Sequence, residues 1–272
     1  MVGSVDASTM RVANFYVSTK SALSQSLQRI SSGKQFIAPR DNAGYYMRFQ
    51  KLRMETRGFE EVRRNLQWGQ SLMGVAEEGG NEIINTVKRM KELVGIYWDP
   101  SSAGSERTLA QLEFEDLKGQ IDTIKNTTWF ERRQLIQGGA NIASVMINPN
   151  DVTDTLDIVF DAADIVDSAT MDITGGGTDK ATAMATVDAQ FDRAMNYIAK
   201  VSGYRRSLDS QLNISAAAIE NNNAFESTVN SVNDPEEMAR MVNYDIRQQA
   251  ALSVMAQSSM SGKGVLMLLG MN

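Results

Sequence analysis

The chain has 272 residues, 42% of them hydrophobic and 22% charged, with a formal net charge of −6. That is apolar enough for a core and too apolar for wholesale disorder. It contains no cysteine and no histidine, which excludes a disulfide framework, thiol chemistry, the usual zinc sites and histidine-based nucleophile systems. An enzyme is therefore not expected, and no cofactor is implied.

The charge is unevenly spread. Residues 1–60 carry nine Lys/Arg against four Asp/Glu, whereas residues 137–190 carry nine Asp against one Lys. No basic patch with interleaved aromatics stands out, so no nucleic-acid partner is expected. No run of about 18 apolar residues offers a membrane insertion. The opening MVGSVDASTMRVANFYV has no apolar signal-peptide centre, which by itself points to a cytosolic protein.

In chain order, the first predicted helix carries Val5, Val12, Tyr16, Leu23, Leu27 and Ile30 at steps of 7, 4, 7, 4 and 3. That is a narrow, coiled-coil-like seam that needs a partner stripe. Ser31, Ser32 and Gly33 stop it, and Pro39 turns Ala38 away from the helical region. Asp41 is the predicted cap of a second helix over Ala43–Ile96. Its ladder is Val62, Leu66, Met73, Ala76, Gly80, Ile83, Val87, Met90 and Val94. Gly69, Gly74, Gly79 and Gly80 interrupt it, which either allows close helix packing or loosens helix ends near Gly79-Gly80. Asp99-Pro100 is a turn. A third helix, about Glu106–Asn126, is expected to bury Leu109, Leu112, Leu117, Ile121 and Ile124.

The middle, 137–180, is less regular. Ile142–Ile147 reads as a strand stopped by Asn148-Pro149-Asn150. Asp151, Asp154, Asp157, Asp161, Asp164 and Asp167 then recur every three or four residues, which predicts an amphipathic helix with a solvated acidic face. A divalent-cation stripe is the less favoured reading, since EF-hand loop spacing is absent. From Ala181 to Val232 one ladder runs almost unbroken, about 80 Å if wholly helical. Asn233-Asp234-Pro235-Glu236-Glu237 starts the last helix. It carries Met238, Met241, Val242, Ile246, Leu252 and Met255, and the chain closes on an apolar tail containing Leu266 and Leu269.

Three segments carry a resemblance to a known family. LQRISSGKQFIAPRDNAGYYM (27–47) resembles the amino-terminal signature of bacterial flagellins, an LQRLSSG-like turn before a DDAAG-like connector and a helix. QIDTIKNTTWFERRQLIQGG (120–139) is similar to the family's NxTxFNGxxLL pattern, with Glu131-Arg132 in place of Asn-Gly. MARMVNYDIRQQAALSVMAQSSMSGKGVLMLLGMN (238–272) resembles the flagellin carboxy terminus. The matches cover roughly 20–136 and 185–270, in order.

The resemblance implies a mainly α fold: an elongated helical rod with paired N- and C-terminal coiled-coil helices and a small β or irregular segment in the middle. Residues 1–44 and 233–272 would form the two halves of an inner coiled-coil domain, and 45–232 a rod with a short insert at about 137–180. It also implies a structural subunit that self-assembles into the helical flagellar filament for swimming motility. The inner-helix interface would comprise the apolar residues named above on the first and last helices. The connector would comprise Ser31, Ser32, Gly33, Pro39, Arg40, Asp41 and Asn42. Implied partners are further copies or other flagellins, the flagellar export apparatus, an export chaperone and the filament cap. The implied location is the flagellum, outside the cell or within a periplasm. Arg89, Leu93 and Glu113 match positions through which some flagellins engage a vertebrate toll-like receptor; an ordinary rod surface is the favoured reading. Two alternatives stand beside the filament subunit: the hook–filament junction protein of the same architecture, and an enzyme or binding module on a helical bundle. The last would need a convergent polar site, which the ladders do not supply.

Overall fold

The computed structural model describes the backbone of residues 2–138, 140–177 and 179–268; side chains are described except at 1–9, 139–141, 177–178, 259 and 261–272. Five helices dominate: α1 (Val2–Ser32), α2 (Ala43–Tyr97), α3 (Gly104–Thr127), α4 (Lys180–Asn230) and α5 (Asp234–Leu268). Two small antiparallel hairpins lie between α3 and α4. The first pairs β1 (Trp129–Phe130) with β2 (Arg133–Gln134), and the second pairs β3 (Ala140–Met146) with β4 (Thr155–Phe160). The fold is mainly α.

The chain divides into two compact units. One takes residues 1–54 and 221–272, and the other takes 55–220.

The second unit has a continuous apolar core. α2 contributes the whole predicted ladder: Val62, Leu66, Met73, Ala76, Ile83, Val87, Met90 and Val94 are at most 2% exposed, and Gly80 is buried with them. Gly69, Gly79 and Gly80 are close-approach positions rather than loosened ends, whereas Gly74 faces open space. A Cβ at Gly80 would lie 2.5 Å from Ile198 Cδ1, and one at Gly79 2.7 Å from Thr128 Oγ1. Helix α2 runs through both without a break. From α4, Val187, Ala194, Tyr197, Val201 and Leu208 meet this stripe, and from β4 Ile158 and Phe160 do so.

Two sequence expectations fail here. Leu109 and Leu112 on α3 are 65% and 59% exposed. The stripe that packs is Ala110, Phe114, Leu117, Ile121 and Ile124, which keeps steps of 4, 3, 4 and 3 and seats the bulky Phe114 inward. The predicted acidic helix over 151–167 is instead a turn, strand β4 and short 3-10 turns. Leu156, Ile158 and Phe160 point inward while Asp157 and Val159 point out, the period of two that a half-buried strand requires. The acidic groups serve the turns. Asp151 accepts hydrogen bonds from Thr153 N–H and Oγ1 (2.9 and 2.6 Å), and Asp161 and Asp164 both pair with Lys200.

The β1–β2 hairpin keeps its two-residue turn although Glu131 (φ 46°) and Arg132 (φ 67°) both occupy the left-handed region. Asparagine and glycine are the usual residues there. Here side chains hold the turn: Trp68 Nε1–H donates to Glu131 Oε2 (2.9 Å), and Arg133 donates to Ile142 O (2.7 Å) and lies over the Trp68 ring.

Candidate functional site

In the other unit, α1 and α5 pair antiparallel. Ser26 Oγ donates to Glu237 Oε1 (2.6 Å) near one end, and Gln248 Nε2 reaches Tyr16 Oη (3.5 Å) further along. What the pair buries is largely polar. Thr19, Ser26 and Glu237 are 5%, 2% and 5% exposed. Among the described residues, Ala251 is the one apolar side chain of these two helices that is fully buried.

The predicted interface residues separate into two groups. Val12, Tyr16, Leu23, Ile30, Met241 and Met255 are half-buried. Leu27, Met238, Val242, Ile246 and Leu252 are 47–60% exposed. Val5 and Leu266 lie in helices but their side chains fall outside the described residues, as does Leu269 altogether. Sequence reasoning missed Met10, Phe15, Val17 and Val254, all exposed at 48% or more. They stand beside the seam register, and only a second apolar stripe next to the first could have signalled them.

The connector is fixed largely by polar contacts. Gly33 takes a left-handed conformation (φ 65°), ending α1 at Ser32 as a glycine just past a helix commonly does. Ser32 Oγ accepts from Lys34 N–H (3.3 Å), and Ser31, Pro39 and Arg40 are exposed. Asp41 does not cap α2. Asn42 does, its Oδ1 accepting from Tyr45 N–H at 3.1 Å. The Asp41 carboxylate turns back instead to accept from Ile37 and Ala38 N–H (3.0 Å each), from Gln25, and to face Arg29 at 3.6 Å. Burial alone would raise its pKa; the two backbone donors, then Arg29 and Gln25, outweigh burial and hold it below the usual carboxylate value.

Glu226 at the end of α4 clamps the next segment. It accepts from Arg53 Nε (3.0 Å) and Lys34 Nζ (3.2 Å), and the Arg53 bond chiefly depresses its pKa. Phe36 N–H donates to Asn230 Oδ1 (2.8 Å) and Gln35 N–H to Asn230 O (2.7 Å). An aromatic cluster completes the connector: Phe36 stacks on Tyr45 at 5.1 Å, and Phe49, 2% exposed, lies between them and Phe225.

The three residues matched to a receptor-binding surface do not share one. Leu93 is 1% exposed and belongs to the core of its unit. Arg89 and Glu113 make a two-bond ion pair joining α2 to α3 (2.7 and 3.1 Å).

Among the described residues no cluster of three or more acidic side chains is arranged to hold a metal, and no helix is long and apolar enough to cross a membrane.

Comparison with known proteins bears on what these helices are for. The family description "Bacterial flagellin N-terminal helical region" matches residues 4–141. The chain is 25% identical over 250 residues to a flagellin of Halalkalibacterium halodurans, covering 90% of this chain and 91% of that one. It is 27% identical over 294 residues to a flagellin of Bacillus subtilis, covering 96% and 97%. It is 25% identical over 274 residues to flagellin FlaB2 of Treponema pallidum, covering 92% and 93%. With half of its length matched by the family description and nearly all of it by relatives of similar size, the chain belongs to the bacterial flagellin family, the structural subunits of the flagellar filament.

Proposed function

We propose that this flagellin polymerises through the outward apolar stripes of α1 and α5. The observation that carries the reading is the exposure of Leu27, Val242, Ile246 and Leu252, each 47–60%, on a helix pair whose fully buried side chains are mostly polar. Burying a side chain of this size is worth about 1.5–3 kcal/mol, so a handful per subunit suffices to drive association. The stripes of α1 and α5 differ in sequence, so contact between copies is heterologous and need not close into a ring. Open helical growth follows. In this reading residues 1–44 and 233–272 are the two halves of an inner coiled-coil domain and 45–232 the rod, with a short insert at about 137–180.

The same reading places the polymer outside the cell, or within a periplasm, after passage through the flagellar export apparatus with a chaperone and under a filament cap. It assigns no catalytic role to any residue. The hook–filament junction role has no observation that favours it over the filament subunit.

Seeded polymerisation of purified monomer, followed by negative-stain electron microscopy, tests the proposal. Long uniform tubes are expected, and deletion of residues 1–30 or 240–272 is expected to abolish them. Persistently monomeric protein, with seeds and precipitating salt present, would overturn it.

A further inference from the structure

Methionine is unusually placed in this molecule. With no cysteine in the chain, the methionine thioethers are the side chains most readily oxidised by peroxide. In the unit spanning 55–220, Met73, Met90 and Met171 are at most 1% exposed, while Met195 on α4 is 45% exposed. In the unit that holds α1 and α5, Met10, Met47, Met54, Met238 and Met260 are 71%, 66%, 73%, 52% and 73% exposed. Met10, Met238 and Met260 lie on the helices that carry the assembly stripes, and Met47 and Met54 on the first turns of α2 that share their unit.

We propose that these five methionines are oxidant-sensitive positions, at which hydroperoxides modify the free subunit and block its polymerisation while the assembled filament is shielded. The inference rests on the assembly reading above. The thioether sulfur attacks the O–O bond of hydrogen peroxide. An S–O bond forms as the O–O bond breaks, the sulfur loses two electrons, and the second oxygen takes the proton and leaves as water. The product is a sulfoxide, a strong dipole where a flexible apolar side chain stood. Enclosing that dipole between subunits without a donor is unfavourable, so each sulfoxide weakens the contact it would otherwise make. Reduction by methionine sulfoxide reductases reverses the change.

The test treats monomer and preformed filament with the same graded dose of hydrogen peroxide, maps sulfoxides by peptide mass spectrometry, and measures seeded polymer by sedimentation. A variant carrying M10L, M47L, M54L, M238L and M260L keeps side-chain volume and apolarity without the thioether. In the parent monomer, sulfoxides at the five positions are expected to lower polymer yield at least tenfold. The leucine variant is expected to keep its yield under the same dose, reductase treatment to restore the parent, and filaments to oxidise at least tenfold more slowly. Normal polymerisation of parent monomer fully oxidised at these five positions would overturn the proposal, as would equal loss of yield in the leucine variant. Untreated monomer that never polymerises is a separate outcome, and it strikes the assembly reading itself.

Discussion

The two units use the same raw material, long amphipathic helices, and put it to opposite use. In residues 55–220 every rung of the α2 ladder is covered, by α4 and by the inward side chains of the β3–β4 hairpin among others. In residues 1–54 and 221–272, α1 and α5 meet across Thr19, Ser26 and Glu237 and leave Ile246, Val242 and Leu252 facing outward. The first arrangement gains its stability within the chain. In the assembly reading proposed above, the second keeps part of its apolar surface for contact between copies. One unit covers its long α2 ladder within the chain, and the other leaves most of its end-helix apolar residues half-buried or exposed.

Two substitutions of opposite kind sharpen that contrast most. The double change Val242→Asp and Ile246→Asp places charge on the outward stripe without removing a buried contact. Polymer yield is expected to fall below detection by sedimentation, with the thermal transition of the 55–220 unit unchanged. Phe114→Ala removes a fully buried ring from α3 and is expected to cost about 3–5 kcal/mol in that unit. Denaturant unfolding measures the loss. If the aspartates destabilise the 55–220 unit instead, the division of labour is wrong.

Acid tests the same contrast at the connector. Asp41 and Glu226 both have carboxyl pKa values below their ordinary ones, Asp41 because its backbone donors, Arg29 and Gln25 outweigh burial, Glu226 chiefly through Arg53. A depressed folded-state pKa gives stability that is present above the unfolded value, about 4 for carboxylates, and is lost as pH falls through the folded value. Lowering the pH from 6 to below 4 is therefore expected to release the connector before the apolar core of 55–220 responds. Hydrogen exchange at the Phe36 and Ile37 amides reports it. Glu226→Gln removes the charge that Arg53 and Lys34 share, so part of the same release is expected at neutral pH. Equal exchange in both proteins at pH 6 would dismiss the clamp.

How far the sequence carried the reading follows from the same physics. The α2 ladder was legible because nine positions kept one phase over many turns, but α2 also buries Leu72, Ile84 and Leu93 beside that stripe, which the ladder left out. On α3 the ambiguity was between two neighbouring stripes: Leu109 and Leu112 are as apolar as Leu117 and Ile121, and only packing around Phe114 chooses. Strand β4 was hidden by its aspartates, whose spacing of three and four imitates a helix while Leu156, Ile158 and Phe160 alternate as a strand. The family resemblance supplied the connector residues but not their roles. That Asn42 caps while Asp41 reaches back to Ile37 and Ala38 depends on backbone direction, which no spacing encodes. The exposure of Leu27 and Val242 was likewise beyond periodicity, since a pattern marks a stripe as apolar without saying whether a partner covers it.

The smallest expected effect concerns the 55–220 unit and asks whether its turns are fully optimised. Arg132 sits at φ 67° in the second position of the β1–β2 turn, where a left-handed conformation costs a non-glycine residue about 1–2 kcal/mol. Glu131, beside it, is anchored by Trp68 Nε1–H and is best left in place. Arg132→Gly removes the strain at the one position where glycine suits a turn of this type, but it also enlarges the freedom of the unfolded chain. The net expectation is a gain of about 0.5–1 kcal/mol in the 55–220 unit, seen as a rise in denaturant midpoint at constant slope. Polymerisation is expected to be untouched, because the turn lies outside the α1 and α5 stripes assigned to assembly. A gain in stability accompanied by loss of polymer would give Arg132 a contact between subunits, and would extend the assembly surface into the 55–220 unit.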